Sequence, residues 1–495
     1  MNNRKLIDKK TINRKTILER MHDIIKYIKV SLNLSSVSYG FMMGWQSPSV
    51  PQLQNPLPVV GSEPMTDNNI SWMNGILCLV GTFATMLLLV IPDKFSRKRF
   101  GYMLMLPMIL SWLLIIFATE HLHIYIAKAL SGITGAGVFF LVSNYVSEIS
   151  CDSIRGILAS LIGFSLNSGI LLAYILGGMM SLYHLAVIGA ILSALFLITF
   201  VFIPESPVYL VRENRTREAI KSLNRLKAGN TSAVEQALSH LQLQIKEVTS
   251  MKSAKLSDLF RDKATIKGLI IILGLFFGQQ FAGIFAVISY TESIFQMAGS
   301  SLSPNTSSII VGAIMLLGSF LSTSLIERMG RRLLLLISCV GTCMCHCVLG
   351  TFCYLQNLEY DISAYGWIPI AALSIFVIVY AVGMGNGPVV IMSEIFSRDV
   401  TSMASIVGLT MCWAASFVII KTFADLIVLL GMHGCFFFLG ICCACSFLFC
   451  FILVPETKGR TREDIVNELN GKVQYEKNKN VKHIIGTDLV HAAHV

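Results

Sequence analysis

Long apolar runs alternate with short polar segments along almost the whole chain. Twelve of these runs can cross a bilayer, since about 20 apolar residues in a helix span its hydrocarbon core. They lie near residues 30–50, 70–92, 100–118, 122–147, 156–180, 183–203, 266–297, 308–326, 333–355, 366–392, 402–429 and 433–454. Hydrocarbon offers no hydrogen-bond partners to open strands, so each run is expected to be helical. The pattern predicts an all-α membrane protein with twelve transmembrane helices.

A polar stretch with the pattern of short amphipathic helices separates the first six runs from the last six. The chain is therefore predicted to contain two six-helix bundles, a linker between them and two polar terminal segments. The predicted units are 1–29 (N-terminal segment), 30–203 (first bundle), 204–264 (linker), 265–454 (second bundle) and 455–495 (C-terminal tail).

Lysine and arginine occupy alternate polar segments. They are dense in 1–29 and in 204–264, whereas 51–69, 298–307 and 356–365 contain neither residue. Positive charge marks the cytosolic side of membrane helices. The alternation predicts a multi-pass plasma membrane protein whose termini and linker lie in the cytosol.

The composition excludes several other classes of protein. Hydrophobic residues make up 54% of the chain and charged residues only 14%, against about 25% charged in soluble domains. The net charge of +10 lies on the predicted cytosolic segments, so no nucleic-acid partner is expected. A phosphate-binding Gly-x-x-x-x-Gly-Lys loop is missing, and the Cys343 to Cys347 cluster points around one helix, where it cannot converge on an ion. We therefore expect no enzyme activity, cofactor, metal or obligate protein partner.

Charged residues recur in the same order in both halves, which indicates a duplicated six-helix unit. Each half has charges after its second helix, a glutamate ending its fourth, an arginine soon after, and a glutamate after its sixth. In the first half these are Asp93, Arg97, Arg99, Glu148, Arg155 and Glu205, and in the second Glu327, Arg331, Arg332, Glu394, Arg398, Glu456 and Arg460. We expect salt bridges among them to form an inner gate that opens during transport. Alternatively they only orient the loops, since an exposed pair contributes less than about 1 kcal/mol.

Six plus six helices with these charges resemble the sugar porter family of the major facilitator superfamily over about residues 30–460. Further stretches resemble the insect facilitated trehalose transporters: Gly44-Trp45-Gln-Ser47-Pro48, Ser71-Trp72, Asn167 with Gly169, and Lys421-Thr-Phe-Ala-Asp425. The resemblance implies the major facilitator fold, in which the two bundles are pseudo-symmetric. It also implies transport of a small neutral sugar, trehalose or a hexose such as glucose.

The candidate sugar contacts lie in the second bundle and the fifth helix. Gln279 and Gln280, in Gln279-Gln280-Phe-Ala-Gly283, resemble the sugar-binding motif of the family, and Trp413 occupies the position of a family tryptophan. A sugar needs amides and hydroxyls together with an apolar wall. Asn167 and Tyr290 are further candidates, with helix–helix hydrogen bonding as the alternative.

Several pocket positions depart from the family pattern. Phe285, Met315, Ala381 and Val389 stand where polar or aromatic residues are usual. These losses leave open an alternative function as a transporter-like sugar sensor or a transport-inactive homologue.

The first helix carries Met42 where proton-coupled sugar porters carry a carboxylate. This favours facilitated diffusion (uniport), with proton symport as the alternative. Lys128, Lys421 and Asp425 also lie inside apolar runs, and the last two are spaced to pair with each other.

Asn69 and Asn305 begin sequons on the predicted outer side and are candidates for glycosylation.

Overall fold

A computed structural model of the chain describes residues 31–87, 96–149, 152–227, 230–250, 256–397 and 400–471. Six long helices form the first half. They are α1 (31–53), α2 (Asp67–Leu87), α3 (Arg97–Ile116), α4 (His121–Ile149), α5 (Asp152–Gly177) and α6 (Leu182–Val201). Their positions agree with the six apolar runs of the sequence.

The linker contains α7 (Pro207–Arg212), α8 (Thr216–Leu226), α9 (Thr231–Ser250) and a 3₁₀ turn at Leu256–Phe260. Its helices pack on one another through a small apolar cluster around Leu210, Val211 and Ala219. The sequence predicted short helices here, but α9 is one continuous helix because neither glycine nor proline interrupts it.

The second half contains α10 (Lys263–Phe281), α11 (Ile284–Met297), α12 (Pro304–Met329), α13 (Arg331–Asn357), α14 (Ile368–Tyr380), α15 (Gly387–Ile395) and α16 (Thr401–Leu453), and α17 (Arg462–Leu469) follows. Two predicted spans are interrupted. The seventh breaks at Gly283, whose φ of +86° suits glycine, and the tenth contains a π-helical turn at Ala381–Gly385. The eleventh and twelfth spans both lie in α16, which turns sharply at Gly431 (φ +70°).

Two helix pairs form the main boundary between the halves: α2 packs against α16, and α5 packs against α12. Glycines of α2 make room for side chains of the opposite half at this boundary. A Cβ on Gly81 of α2 would lie 2.9 Å from the ring of Trp413 in α16. The candidate sugar contacts of the second half therefore adjoin the first half.

Candidate functional site

The side chain of Gln279 satisfies backbone carbonyls in the interrupted tenth span. Its Nε2 donates to the carbonyl oxygens of Met384 at 2.9 Å and Gly385 at 2.8 Å. The Met384 carbonyl lacks its usual helical donor because residue 388 is proline, which has no N–H. Gln279 therefore holds α10 against the π-helical turn.

Gln280 differs from its neighbour in having a free acceptor. It is only 2% exposed, and its Nε2 donates to Cys412 Sγ at 3.0 Å and Gln279 Oε1 at 3.3 Å. Its Oε1 has no hydrogen-bond partner in the described part of the chain. A buried acceptor without a donor costs about 1–3 kcal/mol, so Gln280 is the better candidate for a sugar contact.

Trp413 supplies an aromatic surface at the boundary between the halves. Its ring touches Gly81 of the first half and lies 6.3 Å from the ring of Phe285, centre to centre. Phe285, at a position expected to be polar, thus extends the apolar wall that Trp413 forms. Such a wall suits the C–H face of a pyranose ring.

The other pocket departures lie in α12 and the tenth span. Met315 is buried at 7% exposure, and Ala381 packs on Gly318. Val389 exposes 47% of its surface, so it does not belong to the buried site.

The amide of Asn167 makes a hydrogen bond between the halves. Its Nδ2 donates to Ser319 Oγ of α12 at 2.5 Å. In this geometry Asn167 makes a helix–helix hydrogen bond, which was the alternative to a sugar contact.

Tyr290 interrupts the helical dihedral angles of α11, with φ −120° and ψ 17°. Two backbone groups beside this kink form hydrogen bonds with side chains of the first half. Tyr174 Oη donates to the Ile288 carbonyl at 2.9 Å, and Ser47 Oγ accepts from the Glu292 N–H at 3.0 Å. The kink in α11 is thus stabilised by contact between the halves.

Lys421 crosses the same boundary near the start of α2. Its Nζ donates to Asn68 Oδ1 and to Ser71 Oγ, each at 3.0 Å, and lies 5.2 Å from the centre of the Trp72 ring. The expected partner, Asp425, is farther away at 3.9 Å. Sequence spacing suggested a pair within one helix, but the closer partners belong to the other half.

Lys128 is fully buried next to Met42. Its Nζ lies 3.6 Å from Met42 Sδ and 4.5 Å from the centre of the Trp45 ring. Neither neighbour carries a charge or titrates. Met42 stands at the position where a proton-coupled member of the family is expected to carry a carboxylate. It presents a thioether to this lysine instead.

Inner-face charges of the first half form contacts within that half. Arg97 donates through Nε at 3.0 Å and Nη2 at 2.9 Å to Glu148 Oε1, and both side chains are 11% exposed. Glu205 accepts from the backbone N–H groups of Lys98 and Ser206. Arg99 is exposed, and its backbone N–H bonds the Ser96 hydroxyl that caps α3.

The second half repeats this arrangement. Arg331 Nη2 donates to Glu394 Oε1 at 2.9 Å. Glu456 accepts from the N–H groups of Arg331 at 3.0 Å and Arg332 at 3.1 Å, as Glu205 does from Lys98. Arg460 bonds Glu468. Glu205 and Glu456 thus each bind backbone N–H groups at the start of a helix, where these groups lack helical partners.

The remaining predicted gate residues are not covered by these contacts. Asp93 and Arg398 lie outside the described residues, and the side chains of Arg155 and Glu327 are likewise outside what the structure describes. The gate role of the whole set stays a prediction.

The two candidate glycosylation sites lie at helix starts. Asn69 is half-buried in the first turn of α2. Asn305, in the first turn of α12, packs against Gly178, where a Cβ would come within 1.9 Å of its Nδ2. A glycan on Asn305 would have to displace this contact between the halves.

One buried residue at the boundary was missed from the sequence. Asn74 of α2 is 0% exposed, and in the described structure neither its Nδ2 nor its Oδ1 has a hydrogen-bond partner. The available signal was a single amide inside an apolar run, which is costly in a membrane helix unless it has a function.

The sequence pattern described as "Sugar (and other) transporter" matches residues 32–469. The chain belongs to this family. Among its relatives, the facilitated trehalose transporter Tret1 of Culex quinquefasciatus is 36% identical over 447 residues, covering 90% of this chain and 86% of that protein. Tret1 of Anopheles gambiae is 35% identical over 445 residues, and the match spans only 56% of its length.

Solved structures confirm the fold of this family member. The inward-open xylose transporter XylE of E. coli aligns with a TM-score of 0.74 at 21% identity, over 89% of this chain and 99% of that one. The proton:xylose symporter XylE bound to 6-bromo-6-deoxy-D-glucose aligns with a TM-score of 0.71. The predicted twelve-helix major facilitator fold is therefore correct, and the chain is a multi-pass membrane protein related to sugar transporters and not to enzymes.

Proposed function

We propose that this sugar transporter homologue carries trehalose, or a hexose such as glucose, by facilitated diffusion and alternating access. The supporting observation is the buried Gln280 Oε1, which has no partner in the described structure. The Nε2 of the same side chain bonds Cys412, the residue next to Trp413 in α16. A sugar hydroxyl would donate to this oxygen, and the pyranose C–H face would cover the ring. The Tret1 relatives, named as facilitated trehalose transporters, support the choice of substrate.

Uniport is favoured over proton symport by the surroundings of Lys128. Its close neighbours Met42 and Trp45 do not titrate, the thiol of Cys78 also interacts with it, and none of these groups in the described structure is a carboxylate. In this proposal the sugar gradient alone drives transport.

Alternating access is supported by the distribution of contacts between the halves. Tyr174, Ser47 and Lys421 hold the predicted outer side closed through bonds to the opposite half. Opening this side would break these bonds together, so the sugar site would face the outside only in a different arrangement of the two halves.

The inner gate is proposed to act through the second oxygens of two glutamates. Glu148 and Glu394 each use Oε1 for an arginine of their own half, and among the described residues nothing bonds either Oε2. A cation of the opposite half would bind these oxygens when the inner side closes. The pairs within each half would keep the bundles rigid during this movement.

The location and the unit boundaries are part of the same proposal. The distribution of lysine and arginine supports a plasma membrane protein with cytosolic termini and linker.

Uptake of labelled trehalose and glucose into proteoliposomes tests the proposal. The wild-type protein should show saturable uptake, and Gln280→Leu should reduce it about tenfold, as expected for loss of about 1.4 kcal/mol. Gln236→Leu, on the exposed linker helix α9, is the matched control and should leave uptake unchanged. Sugar binding without uptake would indicate the sensor function instead, and equal effects of both variants would contradict the assignment of Gln280.

A further inference from the structure

Two buried polar side chains lie at the boundary between the halves without hydrogen-bond partners. The amide of Asn74 is 0% exposed and Tyr290 is 6% exposed; within the described ranges, neither amide atom nor the phenol oxygen is bonded. Each such group costs about 1–3 kcal/mol. Their hydrogen-bonding groups therefore remain available to a ligand.

The two side chains belong to opposite halves and face each other. Asn74 lies on α2 and Tyr290 at the kink of α11, and the two are close without completing a hydrogen bond of normal geometry. The Tyr290 ring packs 5.5 Å from Phe423, centre to centre. An amide, a phenol and an apolar wall together match the surface of a sugar ring.

The position of Asn74 relative to Trp413 follows from helix geometry. Gly81, which touches Trp413, lies seven residues after Asn74 on α2. Seven residues are about two turns, so both positions share one face and lie about 10 Å apart along the axis. This separation exceeds one hexose ring and is comparable to two rings joined by a glycosidic oxygen.

We propose that Asn74 and Tyr290 form a second sugar subsite, which receives one ring of a disaccharide while Gln280 and Trp413 receive the other. The inference rests on the proposed function and specifies it: the second subsite selects disaccharides over monosaccharides. The Asn74 amide accepts from one sugar hydroxyl and donates to another, and the Tyr290 hydroxyl bonds a third.

Asn74→Leu tests the subsite because leucine has a similar size and no polar atoms. In proteoliposomes the variant should reduce trehalose uptake about tenfold, and glucose uptake by less than about twofold. Tyr290→Phe should show a weaker loss with the same selectivity.

Thermal unfolding separates this role from a structural one. Without sugar, Asn74→Leu should unfold at the same or a higher temperature, because it removes a buried amide that has no partner. The stabilisation that trehalose confers on the wild-type protein should be lost, while that conferred by glucose remains. Ser193→Ala, which breaks the buried 2.7 Å contact with Ser38, is the control: it should lower the unfolding temperature without distinguishing the sugars.

Equal losses for both sugars, or a lower unfolding temperature of sugar-free Asn74→Leu, would overturn the subsite. A wild-type protein that carries glucose but not trehalose would also overturn it, while leaving sugar transport in place. A wild-type protein that carries neither sugar would overturn the subsite and the proposed function together.

Discussion

The phenol of Tyr174 in α5 donates to the backbone carbonyl of Ile288 in α11 at 2.9 Å, across the boundary between the two halves. That carbonyl lies beside the kink at Tyr290, where regular helical bonding of α11 stops. A hydrogen bond from one bundle thus stabilises a bend in the other. Contact between the halves on the predicted outer side and the shape of the seventh span are therefore energetically coupled.

Tyr174→Phe should weaken closure of the outer side. Loss of one hydrogen bond costs about 1 kcal/mol, which would raise the population open to the outside roughly fivefold. We would measure labelling of Ser289→Cys by a membrane-impermeant thiol reagent, since Ser289 is buried against Gln46 of the first half.

Tyr183→Phe is the matched control for this experiment. Its hydroxyl donates to the Val59 carbonyl at 2.8 Å within the first half, so labelling of Ser289→Cys should stay at the parent rate. Faster labelling with both substitutions would mean that loosening of the protein, and not the Tyr174 bond, exposes the site.

Arg97→Met should destabilise the first half strongly. It leaves Glu148 as a largely buried carboxylate without its arginine, at a cost of about 3–5 kcal/mol. Removing the exposed Arg215, which bonds Glu218 at 2.7 Å, should cost less than about 1 kcal/mol. Thermal unfolding in detergent compares the two variants. Similar decreases in unfolding temperature would contradict a structural role for the Arg97–Glu148 pair.

Gln279→Leu should lower the unfolding temperature more than Gln280→Leu does. It removes the donor from the Met384 and Gly385 carbonyls, which costs about 2 kcal/mol or more. Gln280→Leu removes weaker donations to Cys412 Sγ and Gln279 Oε1, together with a buried oxygen that has no partner in the described structure. Unfolding measured without sugar gives the comparison. A larger loss of unfolding temperature with Gln280→Leu would show that Gln280, and not Gln279, is the structural residue.

Sequence alone located the helices because apolar length and positive charge report directly on the bilayer. The ordered charges also indicated that arginines and glutamates of this set pair, without saying which; the structure pairs Arg97 with Glu148 and Arg331 with Glu394. The different roles of the adjacent Gln279 and Gln280 could not be predicted. They depend on a proline more than one hundred residues away in another helix.

The contacts between the two halves could not be predicted from the sequence either. Lys421 and Asp425 have helical pair spacing, yet the lysine bonds Asn68 and Ser71 of the other half more closely. The only sequence signal for Asn74 was a single amide inside an apolar run, which a packing residue can also show. Its significance comes from burial without a partner, which only a three-dimensional arrangement reveals.

Lys128→Met should preserve transport. Lys128 is buried between Met42 and Trp45, and none of its neighbours among the described residues is a carboxylate. The substitution should therefore change uptake by less than about twofold and leave the unfolding temperature equal or higher. Lys128→Arg, which keeps the charge, serves as the comparison. Loss of uptake in a folded Lys128→Met protein would assign this amine a part in energy coupling.

The most direct test of facilitated sugar transport is the final distribution of labelled trehalose and glucose across proteoliposome membranes under an imposed pH gradient. The account predicts saturable entry of sugar that stops at equal concentrations inside and outside, whichever side is acidic. Uphill accumulation that follows the proton gradient would contradict uniport, and entry no faster than into protein-free liposomes would contradict transport.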